Sequence, residues 1–349
     1  MIPDAIRPAA EALLEKAGFP SPVHFVRIDG GGNNQVYRAE SGGRLAALKV
    51  YFHHPQDQRD RLNAEYSFST LLWQHGVENV PRPLAIDRTA RLALYEFVAG
   101  NKLLPEEVDA SAIDVACDFF ASINTPALRA AGKGLPPASE ACFSTVAHLT
   151  TVRRRLDRLD GLSGATPVDR EAGDFVRGQV LPFWHALEAD VLATTARLGL
   201  APQEEIAAGA LCISPSDFGF HNALREAAGR LRFIDFEYAG WDDPAKLVGD
   251  FFNQVQAPVP RVLFGTFARR VASLFPEDGH MLARFEILLP VYSVKWITIM
   301  LNDFLPVGEM RRSFAGDTSQ ALARKRGQLA KARQAFARLA VDASLPAQA

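Results

Sequence analysis

The sequence is poor in cysteine and in net charge. Its 3 cysteines among 349 residues, Cys117, Cys142 and Cys212, lie far apart along the chain. This spacing fits neither a zinc site nor a disulfide framework, and it favours a reducing compartment, so we expect a cytoplasmic protein. The formal net charge is −2, and no long basic block is present. The composition therefore gives no electrostatic reason to expect nucleic acid as a main partner.

Long apolar runs are also scarce. The most apolar stretch, residues 287–301, is shorter than a bilayer requires and is interrupted by Pro290 and Lys295. We predict a buried helix there and expect no membrane partner. The first 18 residues have the pattern of an amphipathic helix and lack the long apolar run of a signal peptide.

Hydrophobic residues make up 48% of the chain, which is enough for a well-buried core in two domains or lobes. From residue 22 to residue 98 the pattern alternates as in strands, with one helical stretch inserted. Beyond residue 100 helical periodicity dominates, and a short β signal returns near residues 210–237. The sequence predicts an α+β fold, with a small β-rich lobe over residues 1–98 and a larger, mostly helical lobe over residues 99–349.

A glycine-rich turn separates the first two predicted strands. Gly30, Gly31 and Gly32 are followed by Asn33 and Asn34. Backbone without a Cβ can approach a phosphate closely and offer N–H donors to it. Such a turn is equally typical of an ordinary hairpin, and for the motif taken alone that interpretation is the stronger one.

Two charged residues lie where apolar ones are expected. Lys49 stands inside the apolar strand AALKVYF, and Glu65 falls within the apolar stripe of the following helix. Buried charges are costly unless they are paired, so we predict that Lys49 and Glu65 form an ion pair. The alternatives are an edge-strand lysine facing water and a glutamate at the solvated margin of the stripe.

The stretch ISPSDFGFHN places polar residues between two predicted strands. Asp217 in this loop could act as a general base or orient a hydroxyl group. Asn222 and Asp235, at the adjoining strand ends, offer oxygen ligands suited to Mg²⁺. The alternative for Asp235 is a turn or helix cap. By strand alternation, His221 should point away from Asn222, so we interpret it as structural.

In order and spacing, these elements resemble the protein-kinase-like fold, in particular the superfamily of aminoglycoside phosphotransferases and choline kinases. The resemblance extends from about residue 22 to residue 255 and implies a bilobal kinase that uses ATP and Mg²⁺. It implies that Asp217 acts on the acceptor hydroxyl, while Glu65 orients Lys49 on the α- and β-phosphates. It also implies that Asn222 and Asp235 bind Mg²⁺. The residues that the resemblance assigns to the nucleotide site are Gly30, Gly31, Gly32, Asn33, Asn34, Lys49, Glu96, Phe97 and Val98.

The sequence departs from the family pattern at two places. Pro215-Ser216 stands where the family has a His that supports the catalytic loop. Lys246 occupies a position that is often acidic in the family, and Asp250 is a candidate to take over that bracing role. Asp-Phe-Glu at residues 235–237 and the lack of an activation-loop signature favour a small acceptor over a protein.

For the acceptor, the candidate residues are aromatic or acidic and follow the catalytic loop: Glu237, Asp242, Tyr292 and Trp296. An aromatic wall with a carboxylate suits an amine, but aromatic residues at helical spacing more often pack in a core, which is the stronger interpretation for Tyr292 and Trp296. Glu237 and Asp242, like the neighbouring Asp243, could attract the amino group of an amino sugar or amino alcohol, or could simply cap the next helix.

The expected function is transfer of the γ-phosphoryl group of ATP to a hydroxyl of a small metabolite, such as an amino alcohol, sugar or amino sugar. The alternative is a nucleotide-binding regulatory protein, or pseudokinase, with the same fold and no transfer. The resemblance leaves the identity of the acceptor, the choice between ATP and GTP, and the oligomeric state open.

Overall fold

The computed structural model describes residues 2–28, 34–53, 59–162, 164–306 and 321–344. The chain forms two compact units. The described part of the first runs up to Ser139 and includes Ile213–Trp241, and the second comprises Glu140–Cys212 and the described residues from Asp242 onwards. In this division residues 99–139 and the segment with the predicted catalytic loop group with the N-terminal sheet, and the predicted lobes over residues 1–98 and 99–349 stay a prediction.

The first unit is built on a five-stranded antiparallel sheet in the order β1-β2-β3-β5-β4. Its strands are β1 (His24–Ile28), β2 (Gln35–Ser41), β3 (Arg44–Val50), β4 (Pro83–Asp87) and β5 (Leu92–Glu96). Helix α1 (Arg7–Lys16) precedes the sheet and packs on one of its faces, where its buried leucines join the apolar side chains of β2, β3 and β5. The opposite face carries Lys49.

Helix α2 (Arg61–Gln74) lies between β3 and β4 and has clear sequence signals at both ends. Asp60 caps its N-terminus by accepting a hydrogen bond from the backbone N–H of Asn63 at 3.2 Å. Gly76 adopts a φ of +77° just after its last turn, a conformation that glycine tolerates best. The buried stripe of this helix includes Leu62, Glu65 and Phe68, so Glu65 points inward as the sequence predicts.

The rest of the first unit supports the predicted catalytic loop. Its helices are α3 (Ala110–Ile123) and α4 (Pro126–Ala131), and its short strands are β6 (Gly100–Lys102), β7 (Cys212–Ser214), β8 (Ala223–Glu226), β9 (Leu231–Phe233) and β10 (Gly240–Asp242). Strands β6, β8 and β9 form one small sheet, and β7 pairs with β10. Phe119 of α3 stacks on Phe218 and Phe233, with ring centroids 5.6 and 4.5 Å away. This aromatic cluster fixes the loop to α3.

The second unit is helical. Its helices are α5 (Thr145–Asp160), α6 (Pro167–Phe175), α7 (Leu181–Arg197), α8 (Pro244–Asn253), α9 (Phe264–Ala272), α10 (Met281–Met300) and α11 (Ala321–Ser344). A single π-helical turn at Val176–Val180 joins α6 to α7. Gly249 allows α8 and α10 to approach closely, since a Cβ there would lie 2.3 Å from the ring of Tyr292. The predicted α+β fold is confirmed, with a β-sheet in the N-terminal part and helices in the C-terminal part.

Helix α10 is longer than its apolar stretch predicts. It runs through Pro290, which the sequence treated as an interruption, and continues into a short 3-10 turn that ends at Phe304. Among the described residues, this is the one helix whose length and hydropathy would allow it to cross a membrane, but 61% of its apolar window is buried in the protein. A core helix passes the same test, so the pattern is weak evidence for a span.

Candidate active site

A cluster of one lysine and two carboxylates lies on the inner face of the N-terminal sheet. The Nζ atom of Lys49 is 2.7 Å from Oε1 of Glu65 and 2.9 Å from Oδ1 of Asp235. The predicted ion pair between Lys49 and Glu65 is thereby confirmed. The side chain of Glu65 is 4% exposed, whereas that of Asp235 is 38% exposed, so the cluster is closed on the helix side and open on the Asp235 side.

Tyr51 and Tyr95 hold the second oxygen of Glu65. The hydroxyl of Tyr51 donates to Oε2 of Glu65 at 2.7 Å and is 2.9 Å from the hydroxyl of Tyr95. Because the proton of Tyr51 goes to Glu65, Tyr95 is the donor to Tyr51. The sequence interpretation missed this pair, although Tyr51 follows directly after β3 and, two residues beyond Lys49 in an extended chain, falls on the same face as Lys49.

The electrostatics of the cluster keep Lys49 cationic. Burial alone would lower the pKa of Lys49, but the carboxylates of Asp235 and Glu65 outweigh it and raise the pKa above its ordinary value. Burial raises the pKa of Glu65, and the contacts with Lys49 and Tyr51 oppose that rise. With one lysine between two carboxylates, the site has an excess of acceptor oxygens.

In the predicted catalytic loop, two neighbouring side chains contact Asp217. Nε2 of His221 is 3.2 Å from Oδ1 of Asp217, and Nδ2 of Asn222 donates to the backbone oxygen of Asp217 at 3.0 Å. The expectation that His221 points away from Asn222 is wrong. Residues Phe220–Asn222 form a 3-10 turn and not a strand, so the alternation of strand side chains does not apply.

Pro215-Ser216, where the resemblance implies a His that supports the loop, is braced by other groups. Asn124 of α3 accepts from the backbone N–H of Ile213 at 2.8 Å and donates to its carbonyl at 3.0 Å. The backbone N–H of Ser216 donates to Oγ of Ser214 at 3.0 Å, and Ser216 adopts a φ of +65°. Together with His221, these contacts hold the loop from both of its ends.

Asn222 and Asp235 lie at the adjoining ends of the β8–β9 hairpin. The backbone N–H of Ile234 donates to the carbonyl of Asn222 at 2.8 Å, and Asp235 is the residue after Ile234. Because the amide nitrogen of Asn222 faces the oxygens of Asp217, its Oδ1 is the atom left to bind a cation. Asp235 has a φ of +70°, an uncommon conformation for a residue other than glycine.

These donors fit Mg²⁺, which takes one or two protein oxygens and completes its shell with water and phosphate. In the part of the chain that the structure describes, no group of three or more His, Cys, Asp or Glu side chains forms a metal cluster. The predicted site is smaller than such a cluster, because it has one amide and one carboxylate. The role of Asn222 and Asp235 as metal ligands stays a prediction.

Four residues of the predicted nucleotide site fall outside the described residues: Gly30, Gly31, Gly32 and Asn33. Asn34, the first described residue after them, is buried. Its Nδ2 donates to Oε2 of Glu237 at 2.6 Å, and its Oδ1 accepts from the backbone N–H of Phe52 at 3.1 Å. Asn34 and Glu237, predicted to bind nucleotide and acceptor respectively, therefore contact each other.

The predicted adenine-binding segment, Glu96 to Val98, begins where β5 ends. The backbone N–H of Glu96 donates to the carbonyl of Arg82 at 2.8 Å, so it is already used. The carboxylate of Glu96 binds the buried guanidinium of Arg232, with 2.6 Å between Oε2 and Nη2. Burial would raise the pKa of Glu96, but the hydrogen bonds from Arg232 and Arg82 outweigh it and lower the pKa. Arg232 thereby anchors the segment to β9.

The remaining predicted acceptor residues lie in or border the second unit, and each has protein partners. The ring of Tyr292 is 2% exposed, and its hydroxyl is 2.5 Å from Nδ1 of His148. Nε1 of Trp296 donates to Asp250 at 2.9 Å, and Asp242 binds Lys246 at 2.7 Å. Burial of this kind fits the core interpretation of Tyr292, and an acceptor role for these residues stays a prediction.

Asp250, the candidate for the bracing role of the often acidic position where Lys246 stands, pairs more closely with another lysine than with Lys246. Its carboxylate is 3.9 Å from Nζ of Lys246 but 2.8 Å from Nζ of Lys295. It therefore braces α8 against α10, while Asp242 neutralises Lys246. No local pattern in the sequence could indicate the contact with Lys295, which lies 45 residues away.

Comparisons with known proteins agree with this arrangement. The model of a phosphotransferase enzyme family matches residues 24–270. No curated protein sequence matches the chain. A choline kinase from Cryptosporidium parvum has a similar structure, with a TM-score of 0.59 at 12% identity over 97% of this chain and 98% of that one.

Two further solved structures share the fold. A choline kinase from Streptococcus pneumoniae has a TM-score of 0.58 at 14% identity, covering 96% of this chain and 100% of its own. A spectinomycin phosphotransferase, solved with ADP and spectinomycin, has a TM-score of 0.57 at 13% identity, covering 95% and 97%. At these identities the likeness establishes the protein-kinase-like fold.

Proposed function

Since the chain belongs to the phosphotransferase enzyme family and is a small-molecule kinase, we propose that it transfers the γ-phosphoryl group of ATP to a hydroxyl of an amino alcohol, a sugar or an amino sugar. The observation that carries this proposal is the geometry around Asp217. Its carboxylate is held by His221 and Asn222 in the loop that precedes the metal-binding candidate Asp235.

In the proposed reaction, Asp217 accepts a hydrogen bond from the acceptor hydroxyl and orients its oxygen for attack on the γ-phosphorus. The hydrogen bond from His221 to Oδ1 and the contact from Asn222 restrict the rotation of the carboxylate. Such restriction matters because phosphoryl transfer depends mainly on positioning and electrostatic stabilisation.

Lys49 is proposed to bind the α- and β-phosphates. Its contact with Glu65 fixes its direction, and its contact with Asp235 keeps it close to the metal-binding candidate. Mg²⁺, held through Oδ1 of Asn222 and the carboxylate of Asp235, would neutralise charge on the phosphates. The backbone of Phe97 and Val98 is proposed to meet the adenine, with Glu96 held in place by Arg232.

The acceptor class is proposed from the structural relatives. Their names describe kinases of choline, ethanolamine and spectinomycin. An amino alcohol or an aminoglycoside is therefore the first group to test. We also propose a cytoplasmic location, which the three buried cysteine thiols, Cys117, Cys142 and Cys212, support.

The test is phosphorylation of a panel of amino alcohols, amino sugars, plain sugars and aminoglycosides with Mg-ATP, read by mass spectrometry as the gain of one phosphoryl group. With the best acceptor, Asp217→Asn should lower kcat by ~10²–10⁴-fold while Mg-ATP still raises the Tm. The matched control is Asp157→Asn, which removes an exposed carboxylate from α5 and should leave turnover unchanged. Unchanged turnover in Asp217→Asn would refute the assignment of Asp217.

The second candidate function, nucleotide binding without transfer, gives a different result in the same experiment. Mg-ATP would then raise the Tm, and no member of the panel would gain a phosphoryl group. The presence of Lys49, Asp217, Asn222 and Asp235 together favours transfer.

A further inference from the structure

Four segments of the proposed nucleotide site meet at one buried group of side chains. Asn34 stands at the end of the glycine-rich turn, and Phe52 lies just after the strand of Lys49. Arg61 is the first residue of α2, the helix that carries Glu65, and Glu237 lies two residues after Asp235. Asn34, Arg61 and Glu237 are polar residues, yet they are only 6%, 2% and 3% exposed.

Hydrogen bonds, an ionic contact and cation–π contacts join the members of this group. Asn34 donates to Oε2 of Glu237 at 2.6 Å and accepts from the backbone N–H of Phe52 at 3.1 Å. Nε of Arg61 is 3.5 Å from the same oxygen of Glu237. The guanidinium of Arg61 lies 5.7 Å from the ring centroids of both Phe52 and Tyr238, which packs it between two aromatic faces.

Burial makes this arrangement a poor site for direct ligand contacts. A ligand that bound Glu237 or the amide of Asn34 would have to break a buried hydrogen bond to a charged group, which is among the stronger kinds in proteins. The arrangement is well suited to fixing distances between segments. The carboxylate of Glu237 contacts Asn34 and Arg61, and Glu237 itself belongs to the segment that bears Asp235. Rigid support of this kind lowers the cost of ordering a binding site when the ligand arrives.

We propose that Asn34, Arg61 and Glu237 form a positioning junction that holds Asn34 and the start of α2 in register with Lys49, Glu65 and Asp235, and that none of the three contacts the acceptor. The inference rests on the proposed function, since it concerns the site for Mg-ATP. It replaces the sequence-based roles of Asn34 in contacting nucleotide and of Glu237 in contacting acceptor.

A double-mutant cycle on the dissociation constant of Mg-ATP, measured by calorimetry, tests the junction. Asn34→Ala and Glu237→Ala should each weaken binding by ~10-fold, and the double variant should be no weaker than either single variant, because each change already breaks the shared contact. Glu237→Gln keeps an oxygen that can accept from Asn34 and should recover most of the affinity. The KM for the acceptor should stay within about twofold of the wild-type value in all variants.

Asn253→Ala is the control for the loss of a half-buried asparagine that, like Asn34, bridges two hydrogen-bond partners. Asn253 bridges the carbonyl of Gly249 and the hydroxyl of Ser293 in the second unit, at 2.8 and 2.6 Å. The Asn253→Ala variant should have a lower Tm and an unchanged affinity for Mg-ATP. If Asn34→Ala likewise lowers the Tm and leaves the affinity unchanged, Asn34 is merely structural and the junction is refuted.

Two other outcomes would overturn the proposal. If Asn34 contacts the phosphates directly, Glu237→Ala would free its amide and would not weaken binding of Mg-ATP. If Glu237 contacts the acceptor, Glu237→Ala would raise the KM for the acceptor and spare the affinity for Mg-ATP. Failure of the proposed function looks different, because the wild-type protein would then phosphorylate no member of the acceptor panel, whereas the junction is tested by the differences in Mg-ATP affinity between the variants.

Discussion

Two lysine–carboxylate clusters, one in each unit, differ in balance and in exposure. In the first unit, Lys49 alone faces Glu65 and Asp235, and Asp235 is 38% exposed. In the second unit, two lysines, Lys246 and Lys295, face Asp242 and Asp250, and no side chain of the four is more than 7% exposed.

The difference separates a site that can change partners from one that cannot. The first cluster has a surplus carboxylate open to solvent, so a cation and phosphates can replace contacts without stranding a buried charge. The second cluster is neutral and closed, and removal of one charged partner there leaves the other charge in a medium that solvates it poorly. Lys49 in the first cluster and Lys246 in the second both have a raised pKa, because neighbouring carboxylates outweigh the effect of burial. A perturbed pKa alone would therefore not tell the two clusters apart.

The largest effect is expected for Lys246→Met. It leaves Asp242 buried without its cation, and removal of one partner of a buried pair typically costs about 3–5 kcal/mol of unfolding free energy. Denaturant unfolding measures the loss. Asp242→Asn combined with Lys246→Met should recover most of the stability, because no buried charge is then left unpaired. If the double variant were less stable than the single one, the cluster would not be a self-contained ion pair.

Lys49→Met should affect activity more than stability. We expect kcat/KM to fall by ~10²–10³-fold, the usual scale for one electrostatic contact in an active site. The unfolding free energy should fall by less than about 2 kcal/mol, because Asp235 remains partly solvated and Glu65 can take up a proton. Steady-state kinetics and denaturant unfolding on the same preparations give both numbers. A loss of stability equal to that of Lys246→Met would contradict the comparison.

The smallest effect is a dependence of stability on pH in the second unit. Burial alone would lower the pKa of His148, but Cys142 and Asp243 outweigh it and raise the pKa to about 9. Because the folded value lies above the unfolded value of about 6.5, the contribution is complete below pH 6.5 and is lost as the pH rises through about 9. The full span corresponds to at most about 3 kcal/mol.

The measurement is the unfolding free energy of the wild type and of His148→Gln at pH values from 6 to 10. The wild type should lose stability over this range more steeply than the variant, which has no proton to release. Parallel curves would show that His148 does not carry the dependence. Charged His148 donates to Asp243 at 2.9 Å, and Arg284 also binds that carboxylate, so Asp243 keeps one cationic partner when His148 is neutral.

The sequence was sufficient to predict a contact where a charged residue interrupts a local apolar pattern, because burying an unpaired charge is costly. Lys49 and Glu65 could be paired in advance because each breaks an apolar pattern of its own element, and a buried charge needs a partner. The α+β order could be predicted for the same kind of reason, since a period of 2 gives way to a period of 3.6 after residue 100.

The sequence was insufficient where the contact depends on distant residues or on a short irregular turn. Asn34 and Glu237 are 203 residues apart, and no periodicity links them. The direction of His221 depended on whether residues 220–222 form a strand or a 3-10 turn, and three residues are too few for a pattern to decide. Tyr51 could have been found, because it falls on the same face of the extended chain as Lys49.

The left-handed backbone of Asp235 limits which residues evolution can try at that position. At a φ of +70°, side chains other than Gly, Asn and Asp are disfavoured by their own Cβ. Glu has the closest chemistry to Asp, yet the backbone disfavours it before any question of metal binding arises. Of the three residues that fit, Asp alone carries a negative charge. The conformation of the chain and the chemistry of the site thus select the same residue independently.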